Sequence, residues 1–474
     1  MKLDLGRTKS IDLLLSQHSD RQYALKKALG AGTLTALGVG ATVGFAVYVL
    51  PGIAAANYGG RLIVISLLVD ALLCFLFALC YAEVASTIPI AGSAYTYTYA
   101  TLGEIPAWII GWLLILEYLT ITALVAHGIQ AYLSSLVSDL SIHIGAAESR
   151  LLQAAPVIVI VMWTVVMVRG LRESAAANSF LVWVKLMALV IFLWLGISYL
   201  LKSHQPTAHR GLSILTSAWN TWGIKGLLSG AAVLVSSFMG IDAISTASEE
   251  AKNARRDIPV STLGTVIITG TFTIAVTAVL LALPLSNQLG VLNPLAVATD
   301  EISAHKIGSF LVESGALITL ISSLQVILLG LSRTLFSMAR DGLLPAVFSR
   351  VHSRFKTPFL TTLIVGCSAA IVTICVPVHA VIELASAAFL LSMVLTSVAA
   401  MGLRYSKPNL PRAFRAPLFP FIPIVVALGA LVLILSLPLS NLLRIVTWIA
   451  IGLILYFFYG HRHSRIAATT ANRR

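Results

Sequence analysis

Leu151 to Val168 runs for eighteen residues without a charge. That is the length of helix a bilayer core requires. Similar runs recur along the whole chain of 474 residues, which is 58% hydrophobic and 11% charged, with mean hydropathy +0.92. Soluble domains carry about 25% charged residues, so an ordinary soluble domain is excluded. In lipid, every backbone N–H and C=O has to be satisfied inside the protein, which favours helices for runs this long. The expectation is an all-α integral membrane protein with about twelve spans: 32–56, 62–87, 96–136, 152–169, 178–201, 226–248, 260–284, 308–340, 358–377, 380–403, 420–437 and 443–460. They use nearly the whole chain. One membrane domain, 31–460, is therefore expected between an N-terminal tail, 1–30, and a C-terminal tail, 461–474.

Two of these segments carry glycine-marked breaks. The first is GVGATVGFAVYVLPG, Gly38 to Gly52, and the second is VSSFMGIDA, Val235 to Ala243, about 200 residues later. A break at membrane depth frees main-chain polar groups and survives only where protein or a polar ligand satisfies them. A matched pair of interrupted segments points to the binding site of a secondary transporter. The first ten spans divide as five plus five, with a broken span leading each half. An odd repeat number sets the halves in opposite orientations, 31–205 and 226–405, and leaves 420–460 outside the repeat.

The net charge of +13 invites a nucleic-acid reading, but its distribution opposes one. With both termini in the cytoplasm, 24 of the 32 Lys and Arg fall on the cytoplasmic face. Seven fall opposite: Arg61, Arg150, Lys202, Arg210, Lys225, Lys306 and Arg444. Lys185 lies inside a span. This is the positive-inside rule, so the basic charge sets topology. No cleavable signal precedes the first span. Ile11 to Leu29 has the pattern of an amphipathic surface helix. Cys74, Cys80, Cys367 and Cys375 fall in apolar spans and are expected to be buried small residues without disulfide or metal roles.

The candidate binding residues follow from the breaks. Gly38, Gly40 and Gly44 in the first, and Gly240 in the second, leave helical geometry cheaply. An unwound stretch offers N–H groups that suit a carboxylate and C=O groups that suit an ammonium. A molecule with both is an amino acid. The alternative is that these glycines only permit close helix packing. The contacting set is expected to be Thr42, Val43, Gly44, Phe45, Ala46, Ser236, Phe238, Met239, Gly240, Ile241 and Asp242. For Asp242, capping the second half-helix is the simpler role and facing the substrate the other.

Lys185 lies about 10 Å from the cytoplasmic end of its span, a long reach for snorkelling. Burial favours the neutral amine, which suits a residue that exchanges a proton during transport. Glu117 and Asp70 are intramembrane carboxylates, functional candidates by default. No partner is evident for Asp70. Ser322 and Ser323 offer hydroxyls in the eighth span, with back-bonding within the helix an equal alternative. There is no GxxxxGK[ST] for ATP, no metal-ligand spacing among the histidines and no catalytic set. Neither enzyme activity nor a cofactor is expected.

Three motifs resemble the amino acid–polyamine–organocation superfamily, and within it the cationic amino acid transporter family. They are CYAEVASTIPIAGSAYTYTYATLGE (Cys80 to Glu104), MGIDAISTASEEAKNARRDIP (Met239 to Pro259) and SRTLFSMARDGLLP (Ser332 to Pro345). VYVLPG after the first break is also close to the family pattern. The resemblance covers essentially the whole chain. It implies a LeuT-like fold with a five-plus-five inverted repeat and import of amino acids. It also implies that Lys185 stands where other members bind sodium, and that Glu117 matches an acid common in bacterial members.

Two positions depart from the pattern. The usual Gly–small–Gly at the first break is Gly44-Phe45-Ala46, and Ser236 stands where an aromatic gate is common. Either the Phe45 ring fills the volume vacated at Ser236, or Phe45 and Ala46 obstruct a carboxylate. The expectation is a proton-coupled amino acid importer in a bacterial plasma membrane, with substrate, proton and lipid as its partners and no nucleic acid. The alternatives are an amino acid receptor that does not transport, or a polyamine transporter.

Overall fold

The computed structural model describes residues 9, 29–90, 92–140, 146–170, 175–202, 207–283, 288–302, 306–352, 355 and 357–464. The amphipathic segment expected at 11–29 lies outside them except for Leu29, as does the C-terminal tail from 465.

Among the described residues the chain is helical, with a single isolated bridge between Leu29 and Ala251 in place of any strand. The helices are α1 (Ala31–Thr42), α2 (Phe45–Tyr48), α3 (Leu50–Ala54), α4 (Ile63–Thr87), α5 (Ser93–Thr101), α6 (Glu104–Asp139), α7 (Ala146–Arg169), α8 (Ala175–Lys202) and α9 (Thr207–Leu234). They continue as α10 (Ala243–Thr246), α11 (Ala254–Ala282), α12 (Pro294–Ile302), α13 (Lys306–Arg340), α14 (Phe359–Cys375), α15 (Val378–Ser406), α16 (Phe421–Ser436) and α17 (Leu439–Leu455). Nine helical segments among the described residues are long and apolar enough to cross a membrane, and α14 and α16 are shorter apolar helices. The protein is an integral membrane protein.

Several expected spans differ in outline. The span expected to begin at 226 lies in α9, which begins at Thr207 and is kinked at Gly223. The span expected at 96–136 is two helices, because Gly103 leaves helical geometry between α5 and α6, at φ +101°. The span expected to begin at 260 begins at Ala254. Pro259 is the sixth residue of this helix and removes one helical hydrogen bond near its start.

Burial sorts the helices. α6 is buried along most of its length and packs on α13 and α15. α7, α8 and α17 turn apolar side chains outward, among them Ile158, Val161, Phe180, Trp183, Trp194, Leu443 and Val446. An apolar surface this large fits lipid. Cys367 and Cys375 face outward from α14, which corrects the expectation that all four cysteines are buried; Cys74 and Cys80 are. α17 is fastened to α6 through stacked indoles: Trp108 Nε1 donates to Gly452 O at 2.8 Å and Trp112 Nε1 to Trp448 O at 2.8 Å. At one rim, Glu83 receives both Nε and Nη2 of Arg404, at 2.6 and 2.5 Å, so a buried carboxylate is fully paired.

Candidate functional site at the paired helix breaks

Both breaks are present. α1 ends at Thr42; Val43 and Gly44 leave helical geometry, and the chain resumes at Phe45. α9 ends at Leu234, passes through a 3-10 turn at Val235–Phe238, and breaks at Met239 and Gly240 before α10. Gly240 has φ +99°, a conformation that L side chains rarely adopt. The two breaks meet. A Cβ on Gly240 would stand 3.0 Å from the Ala41 Cβ, and α2 packs on the Val235–Phe238 turn. All of Thr42, Val43, Gly44, Phe45, Ala46, Ser236, Phe238, Met239, Ile241 and Asp242 are buried.

Main-chain groups are freed as expected. Among the described residues, no main-chain hydrogen bond outside the helices takes the amides of Gly44, Phe45 or Ala46. The same holds for the amides of Gly240 and Ile241. Buried unpaired amides are costly, about 1–3 kcal/mol each, and a bound anion would relieve that cost.

The carbonyl side of the first break is already occupied. Gly40 O, which in a continuous helix would accept the Gly44 amide, accepts Lys185 Nζ at 2.8 Å and Ser323 Oγ at 3.2 Å. Lys185 also donates to Ser323 Oγ at 3.2 Å, and Ser323 reaches Val43 O at 3.4 Å. Lys185 is 2% exposed, so it does not snorkel. Tyr48 donates to the Lys185 carbonyl at 3.1 Å and ties α2 to α8. Of the two serines, Ser323 belongs to the site, while Ser322 bonds back to Ile318 and Thr319 within its own helix.

Asp242 stands at the entry to α10, and its side chain makes no standard N-cap bond to the amides further into the turn. Its Oδ2 accepts the Tyr118 hydroxyl and, at 3.4 Å, Ser93 Oγ. The carboxylate therefore tethers the second break to α6 and α5. Glu117, next to Tyr118, is buried with Oε2 unpartnered among the described residues. Asp70 is fully buried with both oxygens unpartnered among them.

Sequence reasoning missed Tyr118, Ser93, Tyr81 and Thr269. Tyr81 bonds Ser245 at 2.7 Å and Ser93 at 3.0 Å, and Thr269 bonds Thr42 at 2.7 Å. Tyr81 and Ser93 sit inside the quoted CYAEVAS and AGSAY segments, which were legible as motifs; Thr269 carried no local signal.

This arrangement presents unpaired amides on both breaks, with one lysine and two carboxylates at the margins. It is suited to a small zwitterion. Similarity to known proteins agrees. Residues 29–459 match the amino acid permease family. The branched-chain amino acid permease BcaP of Bacillus subtilis is 36% identical over 98% of this chain and 100% of its own length. The methylthioribose transporter of the same organism is 33% identical over 97% of this chain and 98% of its own. The vacuolar cationic amino acid transporter 4 of Arabidopsis thaliana is 31% identical over 85% of this chain and 68% of its own. The chain belongs to the amino acid permease family, within the amino acid–polyamine–organocation superfamily.

Proposed function

We propose that the protein is a secondary transporter that carries amino acids inward by alternating access, coupled to protons. The observation that carries this reading is the meeting of the two breaks, Gly240 against Ala41, with unpaired amides on both. The amides of residues 44–46 would receive the α-carboxylate, and the carbonyls within 236–241 the α-ammonium. Lys185 would hold Gly40 O more strongly when protonated than when neutral, so proton loss would loosen α1 from α8. Glu117 would take part in the proton path. Entry of one proton contributes about 2.3 kcal/mol per 100 mV, enough for about fiftyfold accumulation at 1.4 kcal/mol per decade.

The layout in this reading is a LeuT-like pair of inverted repeats, 31–205 and 226–405, with 420–460 appended; the breaks at corresponding places support it. Both termini would be cytoplasmic, in a bacterial plasma membrane, as the Lys and Arg distribution and the Bacillus relatives suggest. Neutral amino acids with apolar side chains are the favoured cargo. The buried Phe45, Met239 and Ile241 at the breaks, and the name of the BcaP relative, support that class.

A second reading has its own observation. A relative named for methylthioribose matches nearly the whole chain, and Gly44-Phe45-Ala46 departs from the expected triplet. In that reading the cargo lacks an amino acid head group. The test is uptake of labelled leucine into proteoliposomes under an inward proton gradient, competed with unlabelled leucine, arginine, putrescine and methylthioribose. Leucine uptake that needs the gradient and fails in Lys185→Ala supports the first reading. Equal uptake with sodium and no proton gradient defeats the coupling. Binding without counterflow would make the protein a receptor.

A further inference from the structure

Away from the breaks, three carboxylates converge where α6, α12 and α13 meet. Ligand oxygens of Asp139, Asp300 and Glu313 lie within 4.8 Å of one another. Clustered acids alone are common at surfaces. Here a second observation bears on the cluster. Glu313 is 0% exposed; its Oε1 accepts Ser135 Oγ at 2.5 Å, while its Oε2 is buried with no hydrogen-bond partner among the described residues. Asp139 Oδ2 is likewise buried without a partner.

The remaining contacts position the acids. Ser309 Oγ donates to Asp300 Oδ1. Lys306 Nζ donates to the main-chain oxygen of Asp139 at 3.1 Å, not to a carboxylate. One lysine beside three carboxylates leaves a net charge of about −2 if all are ionised, which matches a divalent cation. Orphaned carboxylate oxygens this close are costly unless something positive lies between them. Hard cations with flexible oxygen coordination suit the set, and Asp300, exposed on one side, leaves an entry path.

We propose that Asp139, Asp300 and Glu313 form a binding site for a divalent cation of the calcium class. The site lies on the face that carries Lys306, opposite the N-terminal tail in the proposed topology. Its consequence follows from α12. The segment leading into α12 sits on the outer half of the first broken span: a Cβ on Gly52 would stand 2.4 Å from Leu289 O and 2.6 Å from Pro294 Cβ. A cation holding α12 to α6 and α13 would steady the cover over α3.

The test uses the full chain in detergent, without substrate, so it stands apart from the transport reading. Calcium is titrated from 10 μM to 10 mM by isothermal calorimetry and by thermal unfolding, against EGTA. Saturable binding is expected in the range of about 0.1–1 mM typical of extracellular sites, with at least tenfold weakening in Glu313→Gln and Asp139→Asn. Asp300→Asn, at the exposed position, gives the same readout should a buried variant unfold. Melting in EGTA checks the folding of each variant. Absence of saturable binding to the wild type overturns the proposal, and so does binding of equal strength in folded variants.

Discussion

Lys185 Nζ lies 2.8 Å from the carbonyl oxygen of Gly40, the oxygen that an unbroken α1 would have given to the Gly44 amide. An intramembrane ammonium thus takes the place of a missing helical hydrogen bond, at a helix end whose partial negative charge favours it. Break and lysine are one device: without the break, Gly40 O would be occupied, and without the lysine, it would depend on Ser323 alone.

Removing the lysine separates its observed hydrogen bond from the coupling proposed for it. A hydrogen bond to a charged group contributes about 1.5–3 kcal/mol, so Lys185→Ala should lower the melting temperature in detergent and cut gradient-driven accumulation at least tenfold. Counterflow, which needs no net proton movement, should survive to a larger extent. Counterflow and accumulation measured in the same proteoliposomes decide this. Accumulation at the wild-type level would remove Lys185 from the coupling.

Gly240 is constrained twice. Its φ of +99° strains any side chain, and a Cβ there would press to 3.0 Å on Ala41, between the two breaks. Strained backbone of this kind costs about 1–3 kcal/mol. Gly240→Ala should weaken substrate binding by about ten- to a hundredfold, seen as a lost thermal shift with leucine. Gly223→Ala serves as the comparison. Gly223 also has positive φ, +56°, but has open space around its Cβ and lies away from the breaks. It should destabilise without changing substrate affinity. Equal affinity losses in both variants would make the Gly240 effect one of general backbone strain.

Gly44 and Ser323 are coupled. A Cβ at Gly44 would stand 2.6 Å from Ser323 Oγ, the hydroxyl shared with Lys185 and Gly40. The φ of Gly44, −167°, is open to any residue, so the cost of Gly44→Ala is the displaced hydroxyl. Gly44→Ala and Ser323→Ala should therefore be strongly non-additive, with the double variant no worse than the worse single one. A double-mutant cycle on leucine uptake measures the coupling, expected at about 1 kcal/mol or more. Additive losses would mean that the two residues act separately.

Much of this was legible because membrane chemistry leaves few choices. Apolar runs marked the helices. The broken segments were visible because glycines and polar residues interrupt runs that lipid would keep uniform, and Lys185 was visible because a charge in such a run needs a reason. What stayed hidden depended on which faces meet. Nothing local separates Ser323, which turns to Gly40, from Ser322, one residue earlier, which bonds back to Ile318. Asp242 at a half-helix start looks like a cap from spacing alone; its partner Tyr118 lies 124 residues away on α6. The division between α5 and α6 was hidden because one positive-φ glycine, Gly103, ends a helix as readily as it is tolerated within one.

The N-terminal tail supplies the last prediction. Lys9 Nζ pairs with Asp341 Oδ1 at 2.8 Å, just past the end of α13, and the Lys9 amide donates to Tyr99 O at 3.2 Å on α5. Tyr95, also on α5, donates to Asp341 Oδ2 at 2.9 Å. Both side chains of the pair are largely shielded, Lys9 at 7% and Asp341 at 13% exposure, so the pair is less screened than a surface ion pair. Tail, α5 and α13 are thus joined through one carboxylate. In the proposed alternating access, the face that carries Lys9 would open and this junction would part. Asp341→Asn removes the charge that both partners use, and Lys9→Ala removes one partner. Hydrogen exchange of the amides of Ser93–Thr101 should rise about fivefold or more in Lys9→Ala, and further in Asp341→Asn, while the amides of α11 keep their protection. Unchanged exchange in α5 would mean that the ion pair decorates a face held shut by other contacts, and the opening step would then have to be sought in the breaks themselves.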